Sequence, residues 1–244
     1  MATIIELDNV YFSAQDRAIV QDVSCKFDSG KATAIVGPSG CGKSTILKLA
    51  AGLLVPDEGK VYFKGEDIAE MNRAENLAFR HESAFVFQDS ALWANQSLFQ
   101  ILELPIRIHY PKMEKKEMEK RIKDVTAEVG YLKDLSIRPS ALSMGEQKLI
   151  AFARALTCNP SLLFLDEWTE SLDRTAANRL IEIVRAKQRQ GGTLIFVSHN
   201  MQIITDLADI VVMVVGGRIV QKVKREELTM DEDLKQYIEK GMTS

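Results

Sequence analysis

Apolar residues in this chain gather in short unbroken runs. Those at residues 3–7, 32–36, 84–87, 162–165, 193–197 and 210–215 are rich in β-formers, and helical patterns separate most of them. Runs such as LLFL, LIFV and IVVMVV have no polar face, so both sides of each strand must be packed, under helices. The pattern predicts an α/β fold with a largely parallel core sheet.

Between residues 97 and 158 the texture becomes helical. Ser97 is placed to cap the stretch SLFQILELPIRI, and Met118, Ile122, Val125 and Val129 recur on one face of a following helix. These signals predict a helical subdomain over 97–158, inserted in a single domain of residues 1–244 whose core is formed by 1–96 and 159–244. From Lys224 onward, Leu228, Leu234, Tyr237 and Ile238 stand among charges, which predicts a surface helix.

The 244 residues are ample for a buried core, and 46% hydrophobic with 27% charged residues exclude a disordered chain or a collagen-like fibre. Thirty-one basic and thirty-four acidic side chains give a net charge of −3, so no positive field favours nucleic acid as a partner. MATIIELDNV lacks the basic and apolar regions of a secretory signal, and the longest apolar run, 210–215, is too short to span a bilayer. A cytosolic protein is expected. Cys25, Cys41 and Cys158 are widely spaced without histidines at metal-ligand offsets, which predicts reduced thiols and no zinc site.

The sharpest local signal is Gly37-Pro38-Ser39-Gly40-Cys41-Gly42-Lys43-Ser44, between the apolar run ATAIV and the helical stretch STILKLAAG. It fits G-x-x-x-x-G-K-[ST] in the required strand-to-helix setting. The glycines let successive N–H groups point inward at a polyphosphate, and the following helix adds its positive end. Lys43 supplies charge between β and γ phosphates, and the Ser44 hydroxyl suits Mg²⁺. The candidate nucleotide-binding set is this loop with Thr45.

A second station follows at Ser161-Leu162-Leu163-Phe164-Leu165-Asp166-Glu167, an apolar strand ending in two acids. A parallel strand delivers such residues to the carboxyl edge of its sheet, where open α/β folds bind ligands. Asp166 can hold Mg²⁺, and Glu167 can orient or polarise water attacking the γ-phosphate.

With these motifs in place, the chain resembles the ATP-binding cassette family, the nucleotide-binding subunits of ABC transporters, over nearly its whole length. Gln88 in AFVFQDS matches the Q-loop; Leu142-Ser143-Met144-Gly145-Glu146 occupies the place of the L-S-G-G-Q signature; Asp173 in ESLD matches the D-loop; His199 in FVSHN matches the switch histidine. The resemblance implies a P-loop NTPase cassette with an N-terminal antiparallel β region. It also implies an ATPase using ATP and Mg²⁺, with catalytic Glu167, His199 and Gln88, and Ser44, Gln88 and Asp166 around the metal. Ser143, Met144, Gly145 and Glu146 would face the nucleotide of a second copy of the chain, so that two ATP molecules are sandwiched in a homodimer.

The departures from the family pattern are Met144 for glycine, Glu146 for glutamine and Trp168 for the proline usual after the catalytic glutamate. The family stacks adenine on an aromatic after an N-V dipeptide, but counting from Asn9-Val10 the position is Ala14, so Tyr11 or Phe12 becomes the candidate. Asp89-Ser90-Ala91-Leu92-Trp93 and the helical LELPIRIHYP resemble the ATPases of bacterial MCE/Mla-type phospholipid transport systems, as does the ending around Gln236-Tyr237-Ile238. The alternatives are a small-solute importer ATPase and a weakly hydrolysing regulatory module. Transport would require separate integral-membrane permease subunits, a lipid- or solute-binding component, and a place on the cytoplasmic face of the membrane. Leu92, Trp93, Leu98 and Phe99 are the apolar candidates for a permease-docking groove.

Overall fold

The computed structural model describes residues 2–230. Strands β1 (Thr3–Ala14), β2 (Arg17–Asp28) and β3 (Ala32–Val36) lead to helix α1 (Lys43–Ala50). Next come β4 (Glu58–Phe63), β5 (Glu66–Asp67), α2 (Arg73–Glu82) and β6 (Ser83–Val86), then helices α3 (Leu98–His109), α4 (Lys115–Val129) and α5 (Met144–Leu156). The chain continues through β7 (Leu162–Asp166), α6 (Arg174–Arg189), β8 (Thr193–Val197), α7 (Met201–Leu207), β9 (Ile210–Val215), β10 (Arg218–Lys224) and α8 (Arg225–Met230). Leu234, Tyr237 and Ile238 of the expected tail helix, and the Gln236-Tyr237-Ile238 ending, lie outside the described residues.

A six-stranded sheet in the order β10-β9-β3-β8-β7-β6 forms the centre, parallel throughout except for β10. Its inner strands β7, β8 and β9 are apolar almost without interruption because alternate residues serve two different cores. Leu163, Leu165, Leu194, Phe196, Val211 and Met213 pack with α3 to α7. Leu162, Phe164, Ile195, Val197, Val212 and Val214 face the other way.

That second face departs from the expectation of helices on both sides. It is covered by α1 together with a separate antiparallel sheet, β2-β1-β4-β5. These strands bury one face only, through residues such as Ile5, Leu7, Val23, Phe27 and Val61. Their alternation is broken by register shifts between Leu7 and Val10, where Asn9 adopts φ 47°, so most of β1 and all of β2 and β4 escaped the pattern of unbroken runs.

In α3 to α5, polar caps and apolar faces agree with the pattern. Ser97 caps α3 in a reciprocal box with Gln100, and Met118, Ile122, Val125 and Val129 of α4 are buried. Among the described residues no helix is long and apolar enough to cross a membrane.

The bulge of β1 also dictates its neighbour. Gly59 has φ +82°, and a Cβ there would stand 2.3 Å from the Asn9 carbonyl oxygen. Gly59→Ala therefore combines backbone strain with overlap, and should lower stability by about 2 kcal/mol or more, read as a lower urea midpoint at unchanged m-value.

Candidate nucleotide site

The loop of residues 37–42 leaves the carboxyl end of β3 and runs into α1, with Gly42 in the left-handed N-cap position. Lys43 is buried, and its ammonium folds back over the loop, donating to the carbonyls of Gly37 at 2.8 Å and Pro38 at 2.7 Å. Beside it opens a cleft of about 610 Å³, lined by Gly40 to Thr45, Gly216 and Gly217 and by Ala14, Arg17 and Ile19 of the β1–β2 hairpin. Cys41 is a free, buried thiol whose pKa burial pushes up.

Strand β7 brings the carboxylates to the same edge. The Ser44 hydroxyl donates to Asp166 Oδ1 at 2.8 Å, which joins the two sequence motifs directly. Asp166 is buried, and desolvation raises its pKa against the opposing hydrogen bond from Ser44. Glu167, next along, takes a left-handed φ of 41° and is also buried. Burial pushes its carboxyl from the ordinary 4.5 up to about 7, with a backbone hydrogen bond from His199 opposing the shift.

The Oε1 atom of Glu167 lies 3.3 Å from Nε2 of His199, yet makes no hydrogen bond of good geometry. Burial, with a smaller contribution from Lys43, lowers the imidazole pKa, so the ring is neutral at pH 7 and the contact is not a full ion pair. An acid poised near neutrality, with an unsatisfied oxygen, is suited to take a proton from water.

The third strand end contributes Gln88, an exposed amide beyond β6 whose Nε2 donates to Glu170 Oε2 at 3.0 Å. Ser44 and Asp166 bring oxygen donors together, the type Mg²⁺ prefers, while the Gln88 amide is tied to Glu170. Among the described residues no cluster of three or more His, Cys, Asp or Glu could hold a metal alone.

Other candidates stand apart from this cleft. Ser143 caps α5 in a reciprocal box with Glu146, donating its hydroxyl to Glu146 Oε2 at 2.9 Å, while Lys133 reaches Glu146 Oε1 at 2.6 Å. The Lys133 and Ser143 hydrogen bonds push the Glu146 carboxyl down to about 2. Met144 is exposed, and a Cβ on Gly145 would lie 3.1 Å from the Ser171 carbonyl oxygen, so the start of α5 abuts the 171–173 turn. Asp173 caps α6 through Ala176.

Two expectations are corrected. Phe12 does not line the cleft; it packs half-buried against the core beneath the antiparallel sheet, and Ala14 stands at the cleft instead. The Leu92–Trp93–Leu98–Phe99 groove does not form: Leu98 is fully buried, Leu92 and Phe99 pack on the core, and Trp93 alone is well exposed.

Five participants were missed. Glu170 holds Gln88, Lys148 and Arg154 hold the carbonyls of the loop after β6, and Arg17 with Ile19 lines the cleft. A lysine one turn before Phe152 on a buried helix face was the visible signal for Lys148.

Comparison with known proteins agrees with this geometry. The family model described as ABC transporter matches residues 20–170. The nickel import ATP-binding protein NikE of Escherichia coli (strain K12) is 36% identical over 225 residues, covering 90% of this chain and 83% of that protein. Its counterpart in Shigella flexneri serotype 5b (strain 8401) is 35% identical over the same length. Among solved structures, the ATP-binding cassette MJ0796, captured as a dimer in a post-hydrolysis state with ADP and Pi, superposes with a TM-score of 0.83 at 26% identity, over 91% of this chain and 99% of that one. The likeness to cbiO1 of Clostridium perfringens, with a TM-score of 0.76 at 24% identity over 98% and 95% of the two chains, concerns the fold. On this footing the chain belongs to the ABC transporter family, as one of its ATP-hydrolysing cassette subunits.

Proposed function

We propose that this cassette hydrolyses ATP with Glu167 as the general base, in a sandwich of two copies docked beneath membrane permease subunits. The observation that carries the reading is the Glu167 carboxyl itself: buried, pushed up to about 7, with an unsatisfied oxygen 3.3 Å from His199. Lys43 exchanges its bonds to the Gly37 and Pro38 carbonyls for β and γ phosphate oxygens. Ser44, Asp166 and Gln88 would hold Mg²⁺, which when bound would neutralise charge on the phosphates. Glu167 takes the proton of the attacking water, and His199 donates to the γ-phosphate oxygens. Residues 37–45 hold the phosphates, and the base rests at Ala14, Arg17 and Ile19.

Ser143, Met144, Gly145 and Glu146, carried by a helical subdomain over 97–158, face the nucleotide of the second copy, with Asp173 at the same junction. ATP closes the pair by bridging both chains, and hydrolysis releases it. The dimeric state of MJ0796 supports this arrangement.

A cleft of about 750 Å³ between α2 and the end of α3 is the proposed seat of the permease. Exposed Leu77 and Ile108 offer apolar contact beside Arg73 and Arg80, which fits an amphipathic helix bearing a carboxylate. This docking places the cassette on the cytoplasmic face of the membrane. Two cargo classes attach to the reading. The Gln88–Trp93 segment supports phospholipid, and the nickel import relatives support a small solute delivered by a solute-binding component. The cassette meets nucleotide and permease rather than cargo, so the permease that co-purifies with the chain decides between them.

Glu167→Gln should bind ATP with near wild-type affinity, hydrolyse it at least about 100-fold more slowly, and accumulate as an ATP-held dimer in light scattering. Rapid turnover by this variant would overturn the proposal. Lys43→Ala should instead weaken ATP binding by about tenfold or more in calorimetry, because a charge-assisted contact to phosphate is lost.

The raised pKa of Glu167 carries a stability consequence with a definite sign. Native Glu167 keeps its proton up to about pH 7, whereas the unfolded chain releases it near 4.5, so stability falls as pH rises through this window. The nucleotide-free Glu167→Gln protein should match wild type below pH 4.5 and gain about 2 to 3 kcal/mol over it above pH 7 in urea unfolding.

A further inference from the structure

Beyond β6 the chain makes a tight turn in which Ser90 and Ala91 both adopt left-handed conformations, with φ 65° and 44°. Within the turn the Phe87 carbonyl takes the Ser90 N–H at 3.1 Å, while the carbonyls of Gln88, Ser90 and Ala91 have no strand partner and require donors from elsewhere. Two cations from α5 provide them. Lys148, 2% exposed, donates from Nζ to the carbonyls of Phe87, at 3.3 Å, and Gln88. Arg154 donates to Ala91 at 2.7 Å and Ser90 at 3.2 Å, with its guanidinium 5.6 Å from the centre of the Trp93 ring.

The placement of Lys148 is costly and is not explained by pairing. Among the described residues it makes no ion pair within 4 Å, and burial lowers its pKa while Glu170, Asp166, Asp89 and Glu167 act from a distance to keep it charged. A buried cation held by backbone carbonyls contributes little net stability compared with an apolar side chain of similar length. Its geometry serves position. Helix α5 begins at the Ser143 cap, holds the Gln88 loop through Lys148, and packs Phe152 against Trp168, the neighbour of Glu167, at 5.7 Å between ring centres.

We propose that Lys148, seconded by Arg154, is a positioning residue for hydrolysis: it fixes the Phe87–Ala91 turn to helix α5, so that Gln88 and Ser143 move as one body. The inference rests on the roles proposed above for Gln88 and Ser143. A displacement of either end is then transmitted to the other without an intervening hinge.

The test compares Lys148→Met, Lys148→Arg, Gln88→Ala and the Lys148→Met/Gln88→Ala double variant in the full chain, by ATP turnover and by amide hydrogen exchange of the nucleotide-free protein. Exchange needs no turnover, so it reads the clamp even if hydrolysis is slow. Lys148→Met should lower kcat about tenfold with the KM for ATP within about twofold, because the phosphate loop is untouched. Amides of 87–93 should exchange about tenfold faster while those of 37–45 stay unchanged, and Lys148→Arg should restore both readings. On the Gln88→Ala background the Lys148→Met change should add less than about twofold. Unchanged exchange in 87–93, or an equal loss of turnover with and without Gln88, would overturn the proposal. If Lys148→Met does not fold, Arg154→Met carries the same two readings with the same expectations. Wild-type turnover by Gln88→Ala would instead refute the role of Gln88, and exchange of 87–93 alone would then decide the clamp.

Discussion

Every group proposed to handle the phosphates of a chain's own nucleotide leaves the central sheet along one edge, and that edge exists because β3, β8, β7 and β6 run parallel in matched register. Ile35 and Asp166 both stand opposite Val197, and Val86 stands opposite Leu165, so four strands end at one level. The phosphate loop, Gln88, the carboxylate pair and His199 follow from those four ends. The 2.8 Å contact between Ser44 and Asp166 spans 122 residues and depends on that level being shared. A slip of β7 by one residue would turn Asp166 away and bring Leu165 or Glu167 to its place.

The same edge concentrates charge that water would otherwise solvate. Asp166 and Glu167 are buried side by side with Lys43 near them, and their pKa values rise because desolvation outweighs the lysine fields. Glu167 makes the more consequential shift. A carboxyl at 4.5 is a weak base, whereas one at about 7 accepts a proton readily and still ionises at neutral pH. The left-handed backbone at Glu167 and its unsatisfied oxygen are costs of the same kind, stored where chemistry is proposed and offset by the two cores on either side of the sheet.

How much of this could be read from residues alone follows from the range of each interaction. The phosphate loop and the Asp166-Glu167 end are local, contiguous and tied to strand exits, so their spacing identified them. Parallel strands were legible because both faces are buried, and the bulged, one-faced β1, β2 and β4 were not, since a residue such as Asn9 resets the alternation. Phe12, half-buried on β1, packs on the core beneath the antiparallel sheet rather than lining the cleft beside Lys43, and the strand pattern alone does not show which side it takes. Lys148 and Arg154 act on carbonyls about sixty residues earlier, and nothing in a linear pattern announces a backbone acceptor.

Helix α5 shows why the departures in the signature need not disable it. The first turn of a helix presents four N–H groups without internal partners. Here the Ser143 hydroxyl takes that of Glu146, while the Glu146 carboxylate takes the N–H of Ser143 itself and is in turn held by Lys133. The N–H groups of Met144 and Gly145 are left at the helix end without an intrahelical acceptor, and as backbone donors they do not depend on which non-proline side chain stands at 144 or 146. Glutamate in place of glutamine adds a negative charge beside them, which opposes an approaching phosphate, and Lys133 supplies the compensating positive charge at 2.6 Å. The side chain at 144 projects from an exposed position, so its bulk does not crowd its own chain. What this helix end could offer the phosphate proposed above therefore lies in its backbone, with the charge of Glu146 offset by Lys133, more than in the motif's side chains.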